Sequence, residues 1–169
     1  RTMFDACVRE FGGDWVESRT DGDGRSVRLK TYAELKAKFE KPGEFLLLPG
    51  VEVTQTLDGR SAHLNYINLP SLIPSVRDVK LIHTVEAPDM TMGRLIALNA
   101  SEVSVLGKAL RRPSLLILNH PLYALDTLPE DVIENPALRF FEVYNNGSEI
   151  HPAAPSYTIE EFWDAVNAF

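Results

Sequence analysis

Four polar residues around one tight turn are the first candidates for chemistry in this sequence. Asp58-Gly59 is a strong signal for a two-residue hairpin turn, and a turn there places Thr54 opposite His63. It also places Glu52 opposite Asn65. Opposed residues and residues two apart share one face of a hairpin, so the four side chains form one polar cluster. This cluster is either a site where a carboxylate and an imidazole reach a common metal ion, or the solvated face of an antiparallel hairpin.

Two apolar segments further along the chain end in polar residues that could also act in a site. Leu115–Leu118 delivers His120 at its C-terminal end, where α/β folds place their functional groups. Phe140–Tyr144 delivers Asn145 in the same way. His120 is either a ligand or a histidine that hydrogen-bonds a loop, and Asn145 is either a substrate contact or part of a turn. Glu142 is a charge inside an apolar segment, so it either has a buried partner or faces the site.

The composition limits the classes of protein to consider. The 169 residues are 44% hydrophobic and 24% charged, which is typical of one folded globular domain. Seventeen Lys and Arg against 24 Asp and Glu give a net charge of −7, which argues against general electrostatic binding of nucleic acid. No apolar run approaches the roughly 20 residues that span a bilayer, so no membrane association is expected. A single cysteine, Cys7, excludes an intramolecular disulfide and a cysteine-rich zinc site.

Helical and strand patterns alternate along the chain, which predicts an α/β fold. Capping boxes predict helices that begin at Thr31, Thr127 and Thr158, and the apolar spacing predicts a long helix from Thr91 to Leu110. Short apolar segments predict strands at Phe45–Leu48, Val51–Thr56, Arg60–Leu69, Val79–His83, Leu115–Leu118 and Phe140–Tyr144. Because Leu115–Leu118 is wholly apolar, we expect it in a sheet that is covered on both faces.

Four short motifs occur in a recognisable order, at Phe45–Thr54, His63–Asn65, Leu118–Pro121 and Phe141–Asn145. In this order they resemble the PHP (polymerase and histidinol phosphatase) superfamily of metal-dependent phosphoesterases. Residues 162–164 are similar to the helix that precedes the last metal-binding loop of that family. The resemblance covers most of the chain from about residue 31 onward.

The resemblance implies a distorted, TIM-like β/α barrel with metal ions at the strand ends. It implies metal ligation by Glu52, which commonly bridges two ions, and by His63 and His120. The mixture of imidazole and carboxylate ligands points to Zn, Mn or Fe as the divalent ions. The implied activity is hydrolysis of a phosphoester by a metal-activated water. A phosphomonoester, a phosphodiester and a nucleotide all fit as substrate, with Asn145 as a candidate substrate contact.

The sequence departs from the family pattern at both ends. It contains no His-x-His pair and no Asp-x-His pair, which the family carries before and after the motifs above. Residues 1–169 are therefore interpreted as a single, partial PHP-like domain without its outer metal-binding segments, and we expect these residues alone to bind metal weakly and to be inactive. Two alternatives are a catalytically inactive PHP-like binding or scaffold module and an amidohydrolase-type metallohydrolase that acts on C–N bonds.

Overall fold

A computed structural model describes residues 2–22, 24–69, 89–123, 127–145 and 158–168. The chain divides into two compact units, residues 1–47 and residues 48–169. The predicted strand at Val79–His83 lies outside the described residues. No helix in the described ranges combines the length and the apolar character that crossing a bilayer requires.

The first unit contains two helices and one hairpin. Its elements are α1 (Met3–Phe11), β1 (Ser18–Asp21), β2 (Gly24–Val27) and α2 (Tyr32–Phe39). The predicted capping box of α2 is confirmed, because the Thr31 hydroxyl accepts from the Glu34 backbone N–H and the Glu34 carboxylate accepts from the Thr31 backbone N–H.

The second unit is built on an antiparallel sheet of three strands, in the order β3, β4, β5. Strand β3 (Gly50–Leu57) and strand β4 (Arg60–Ile67) form the predicted hairpin, with Leu57 paired with Arg60 and the register running back to Gly50 opposite Ile67. Asp58 and Gly59 have φ angles of 52° and 82°, as a type I′ turn requires. The predicted register is therefore confirmed.

Strand β5 (Leu115–Leu118) pairs antiparallel with β4, so that Leu118 lies opposite Leu64. Leu118 also forms a single parallel bridge with Phe141, and this bridge continues the sheet by one more segment. The described strands form this sheet and the β1–β2 hairpin, and closure into a β/α barrel stays a prediction.

Three helices follow in the second unit, and the longest of them packs on the sheet. They are α3 (Met92–Ala109), α4 (Pro129–Ile133) and α5 (Ile159–Asn167). Helix α3 packs against β4 and β5, and α4 contacts both α3 and α5. Helix α3 begins after an N-cap at Thr91, as predicted, and the capping box of Thr158 with Glu161 is confirmed. The core between sheet and helices includes Val53, Leu64, Tyr66, Leu95, Ile96, Leu116, Leu118 and Phe162.

Two predicted strands differ in the structure. Residues 45–48 form no strand, because Pro42 and Gly43 start a tight turn in which Lys41 pairs with Phe45. The Leu46 side chain is 67% exposed, so the prediction of a buried strand here was wrong. Phe140–Tyr144 is reduced to the bridge at Phe141, with Phe140 and Tyr144 exposed.

Two smaller predictions also differ. Only one face of β5 is fully buried, through Leu116 and Leu118, whereas Leu115 at its start is 45% exposed. The capping box predicted for Thr127 is absent, because α4 begins one residue later, with Pro129 at its first position. Proline is favoured there since the missing N–H would have no helical partner. The carboxylate of Asp131 accepts from the backbone N–H of the preceding Leu128 instead.

A buried polar network fixes α3 against the apolar face of the hairpin. The Asn99 side-chain oxygen accepts from Gln55 Nε2 at 2.8 Å and from the Tyr66 hydroxyl, and its Nδ2 donates to the Leu95 carbonyl at 2.7 Å. These three side chains are buried, so each bond satisfies a group that would be costly to leave unpaired. The network thus sets the position of α3 along the sheet.

The buried phenol of Tyr66 predicts a specific loss of stability at high pH. Burial raises the pKa of Tyr66 from 10.0 to about 12, with a smaller contribution from the charge of Glu102. The folded state therefore retains the phenolic proton between these values while the unfolded state releases it. The stabilisation is complete below pH 10 and is lost as the pH rises toward 12. We expect the stability advantage of wild type over Tyr66→Phe to be constant from pH 7 to 9 and to fall above pH 10.

Urea unfolding at stepped pH measures this difference. Other titrating groups are shared by the two proteins and cancel in the comparison. Plots of unfolding free energy against pH for wild type and Tyr66→Phe that stay parallel up to pH 11.5 would contradict this prediction.

Candidate metal centre

Three of the predicted site residues meet at one point on the polar face of the sheet. Glu52 Oε1 lies 3.4 Å from His63 Nδ1 and 3.9 Å from His120 Nε2. One ligand atom from each residue lies within 4.8 Å of the other two. The two imidazole rings are also adjacent, with centroids 4.9 Å apart. The side chains that the sequence singled out on two separate segments therefore share one site.

The hairpin register positions the first two of these side chains. Val53 and Leu64 point into the core, so Glu52 and His63, which alternate with them, lie on the opposite face. Thr54 lies directly opposite His63, and its hydroxyl is 3.1 Å from His63 Nδ1. This contact limits rotation of the imidazole and holds Nδ1 on the side of Glu52.

His120 is positioned by the end of β5 and by one carboxylate. The Asn119 backbone N–H donates to the His63 carbonyl at 2.8 Å, which extends the β4–β5 pairing to the residue before His120. His120 itself has a φ of 22°, a conformation that is unfavourable for a residue with a Cβ atom. Its backbone N–H donates to Glu142 Oε2 at 2.7 Å. A charge-assisted hydrogen bond of this kind offsets part of the backbone strain.

Glu142 also holds Asn145, the predicted substrate contact. Asn145 Nδ2 lies 3.2 and 3.3 Å from the two Glu142 carboxylate oxygens. Asn145 is therefore linked to His120 through Glu142, and a direct contact between Asn145 and a substrate stays a prediction. Glu142, the charge inside an apolar segment, thus has two hydrogen-bond partners at the site, His120 and Asn145.

Two further contacts at the site were not predicted from the sequence. Tyr123 packs edge-on against His120, with ring centroids 5.3 Å apart, because its backbone N–H donates to the His120 carbonyl in a tight turn. Asn65 Nδ2 donates to Asn119 Oδ1 at 2.7 Å. Two features of the sequence could have indicated these contacts. Tyr123 follows His120 by three residues with Pro121 between them, and Asn119 directly precedes His120.

The donor set fits a divalent cation. Two ligands of a tetrahedral ion with bonds of about 2.0–2.1 Å lie about 3.4 Å apart. The 3.4 Å between Glu52 and His63 matches this separation, and the 3.9 Å between Glu52 and His120 is wider. His120 Nδ1 is buried and has no hydrogen-bond partner among the described residues, but it points away from Nε2, so an ion held between Glu52 and Nε2 does not satisfy it. The Glu52 side chain is 48% exposed, which leaves the centre open to ligands from solvent.

In comparisons with protein-family models, with curated proteins and with solved structures, this chain matches none.

Because Glu142 accepts hydrogen bonds from His120 and Asn145, replacing it should lower the stability of the second unit. We expect Glu142→Ala to lower the free energy of unfolding of residues 48–169 by about 1–2 kcal/mol, since the His120 N–H loses a charged acceptor. We expect less than half of this loss for Glu142→Gln, which keeps one oxygen acceptor. The His120 amide resonance should shift upfield in Glu142→Ala.

Urea unfolding followed by Trp163 fluorescence in a Trp15→Phe background measures the effect, because Trp15 belongs to the other unit. Glu102→Ala, an exposed carboxylate on α3, serves as the control. A Glu142→Ala protein within about 0.5 kcal/mol of the parent, as expected for an ordinary surface substitution, would show that the bond to His120 is not formed.

Proposed function

We propose that this protein is a metal-dependent phosphoesterase of the PHP type, in which Glu52, His63 and His120 bind divalent Zn, Mn or Fe ions. The observation that carries the proposal is that one ligand atom from each of these three side chains lies within 4.8 Å of the other two. They come from β3, from β4 and from the end of β5, and the family resemblance implies the same three as ligands. The β/α barrel of that family is part of the proposal.

Each residue of the centre has a defined part in this proposal. Glu52 offers two carboxylate oxygens, which suit it to bridge two ions. Glu142 holds the backbone that presents His120. The Thr54 hydroxyl contacts His63 Nδ1, the nitrogen that faces Glu52, so an ion bound at that nitrogen would replace the hydrogen bond to Thr54. Bound divalent ions would lower the pKa of a water, orient it on the phosphorus and neutralise charge on the transferring group. The side chain of Tyr123 packs edge-on against the His120 ring.

The substrate class follows from charge and access. A chain with a net charge of −7 repels a phosphoester in general, so a cationic centre is needed to reverse the local sign. The exposure of Glu52 leaves room for a phosphomonoester, a phosphodiester or a nucleotide. Asn145, next to His120 through Glu142, is the proposed contact for a substrate group.

Replacing the proposed bridging ligand tests the function directly. We expect Glu52→Gln in the intact protein to lose bound metal and to lose phosphoesterase turnover by at least about 100-fold, because an amide cannot supply the anionic bridging oxygens. Elemental analysis measures the metal, and hydrolysis of p-nitrophenyl phosphate and of its bis-ester measures turnover. Glu102→Gln, an exposed carboxylate on α3 away from the centre, is the matched control and should change neither.

The outcomes separate the alternatives. Metal content and turnover that both survive Glu52→Gln would show that Glu52 is not a ligand. A wild-type protein that binds metal at this centre without hydrolysing phosphoesters would favour an amidohydrolase-type activity. A wild-type protein that binds no divalent metal would favour a binding or scaffold module.

A further inference from the structure

A second candidate site lies at the other end of β5 from His120. It is a groove of about 460 Å³ between the C-terminal half of α3, the loop that leads into β5, and residues 137–140. None of the three residues of the candidate metal centre lines it. The volume is in the range of pockets that hold small molecules. The groove is therefore independent of the proposed function.

Four cationic side chains line the groove. Lys108, Arg111, Arg112 and Arg139 border it, and no acidic residue does. Within the described part of the chain, none of these four side chains makes an ion pair or a hydrogen bond. Such a cluster is unexpected in a chain whose acidic residues outnumber its basic ones by 24 to 17. The local field at the groove therefore favours a multiply charged anion.

One of these cations is held in an unfavourable backbone conformation. Helix α3 ends in a Schellman motif, in which the Arg112 N–H donates to the Gly107 carbonyl at 2.8 Å and the Arg111 N–H donates to the Lys108 carbonyl at 3.1 Å. Arg111 occupies the left-handed position of this motif, with φ of 53°, where glycine is usual. An arginine there disfavours the fold relative to glycine, which points to a use for its side chain outside folding.

Close packing fixes the wall of the groove that carries Arg112. A Cβ atom on Gly107 would lie 2.1 Å from Ser114 Oγ and 2.9 Å from the Arg112 carbonyl oxygen, so only glycine allows the loop to lie against α3. Ser114 Oγ donates to the Val103 carbonyl at 3.1 Å and ties the loop to the helix. The backbone that presents the cations is thus held before any ligand arrives, which lowers the entropy lost on binding.

The same groove has an apolar part. Leu115 and the ring of Phe140 line it and are 45% and 47% exposed. An aromatic ring with an accessible face can stack on a planar group. The groove therefore suits a molecule that joins a planar, apolar body to several negative charges.

We propose that this groove binds a nucleoside diphosphate. The guanidinium groups of Arg111, Arg112 and Arg139 pair with phosphate oxygens, for which their planar, two-pronged geometry is suited. The base lies against Phe140. The dipole at the C-terminal end of α3 disfavours an anion, but its partial charge of about half a unit is small beside four full positive charges. No metal ion is required for this binding.

Calorimetric titration of the intact protein with ADP in EDTA tests the proposal, with adenosine and pyrophosphate as partial ligands. We expect ADP to bind more tightly than either one. Arg112→Gln and Arg139→Gln should each weaken ADP binding about tenfold, the effect of losing one charge-assisted contact. Arg111→Gly should weaken binding by a similar factor without lowering the melting temperature, because glycine is favoured at that backbone position.

Two controls define the site. Arg94→Gln removes a cation from the other end of α3, outside the groove, and should leave ADP affinity unchanged. EDTA is the second control, because it removes divalent ions and so excludes metal-dependent binding of ADP at the candidate metal centre. The proposal is overturned by any of three results: no ADP binding at millimolar concentration, affinity for pyrophosphate equal to that for ADP, or groove variants that bind as well as wild type. None of these results bears on metal binding by Glu52.

Discussion

The register between β3 and β4 is the constraint on which both the core and the candidate metal centre depend. Side chains alternate between the faces of a strand, so burial of Val53 against Leu64 necessarily brings Glu52 and His63 onto the other face. A slip of one residue would expose the apolar set and separate the polar one. The free energy of forming the core therefore also selects the geometry of the site, and no further interaction is needed to bring these two side chains together.

His120, the third residue of the candidate metal centre, is positioned by fewer interactions than Glu52 and His63. His120 lies beyond the last ladder pair of β5, and its backbone conformation is unfavourable. One carboxylate, that of Glu142, accepts from its N–H, and Glu142 is brought near by the single parallel bridge between Leu118 and Phe141. The site thus combines a rigid half on the hairpin with a half whose position depends on few contacts. Strained residues held in this way are common at functional sites.

Features that were predictable from the sequence are those set by local chemistry. The Asp58-Gly59 turn and the capping boxes at Thr31 and Thr158 depend on residues within a few positions of each other, and the structure contains all three. The prediction of a strand at Phe45–Leu48 was wrong. An apolar run becomes a strand only if another strand pairs with it, and a four-residue segment carries no information about its partner. The sequence shows Glu142 as a charge inside an apolar segment, with either a buried partner or a position facing the site, but its acceptor role at His120 depends on a contact between residues 22 positions apart.

In the two proposals above, the two ends of β5 attract anions by different means. Strand β5 advances three residues from Leu115 to Leu118, which at about 3.3 Å per residue is about 10 Å, and His120 lies two residues beyond its end. This separation exceeds the screening length of about 8 Å at physiological ionic strength, so the four cations of the groove contribute little to the field at Glu52. The centre itself offers a carboxylate and two imidazoles, which do not attract phosphate without bound cations. The groove supplies its own permanent positive charge, so the two proposals differ in that the anion at one end of this strand needs a metal ion and the anion at the other end does not.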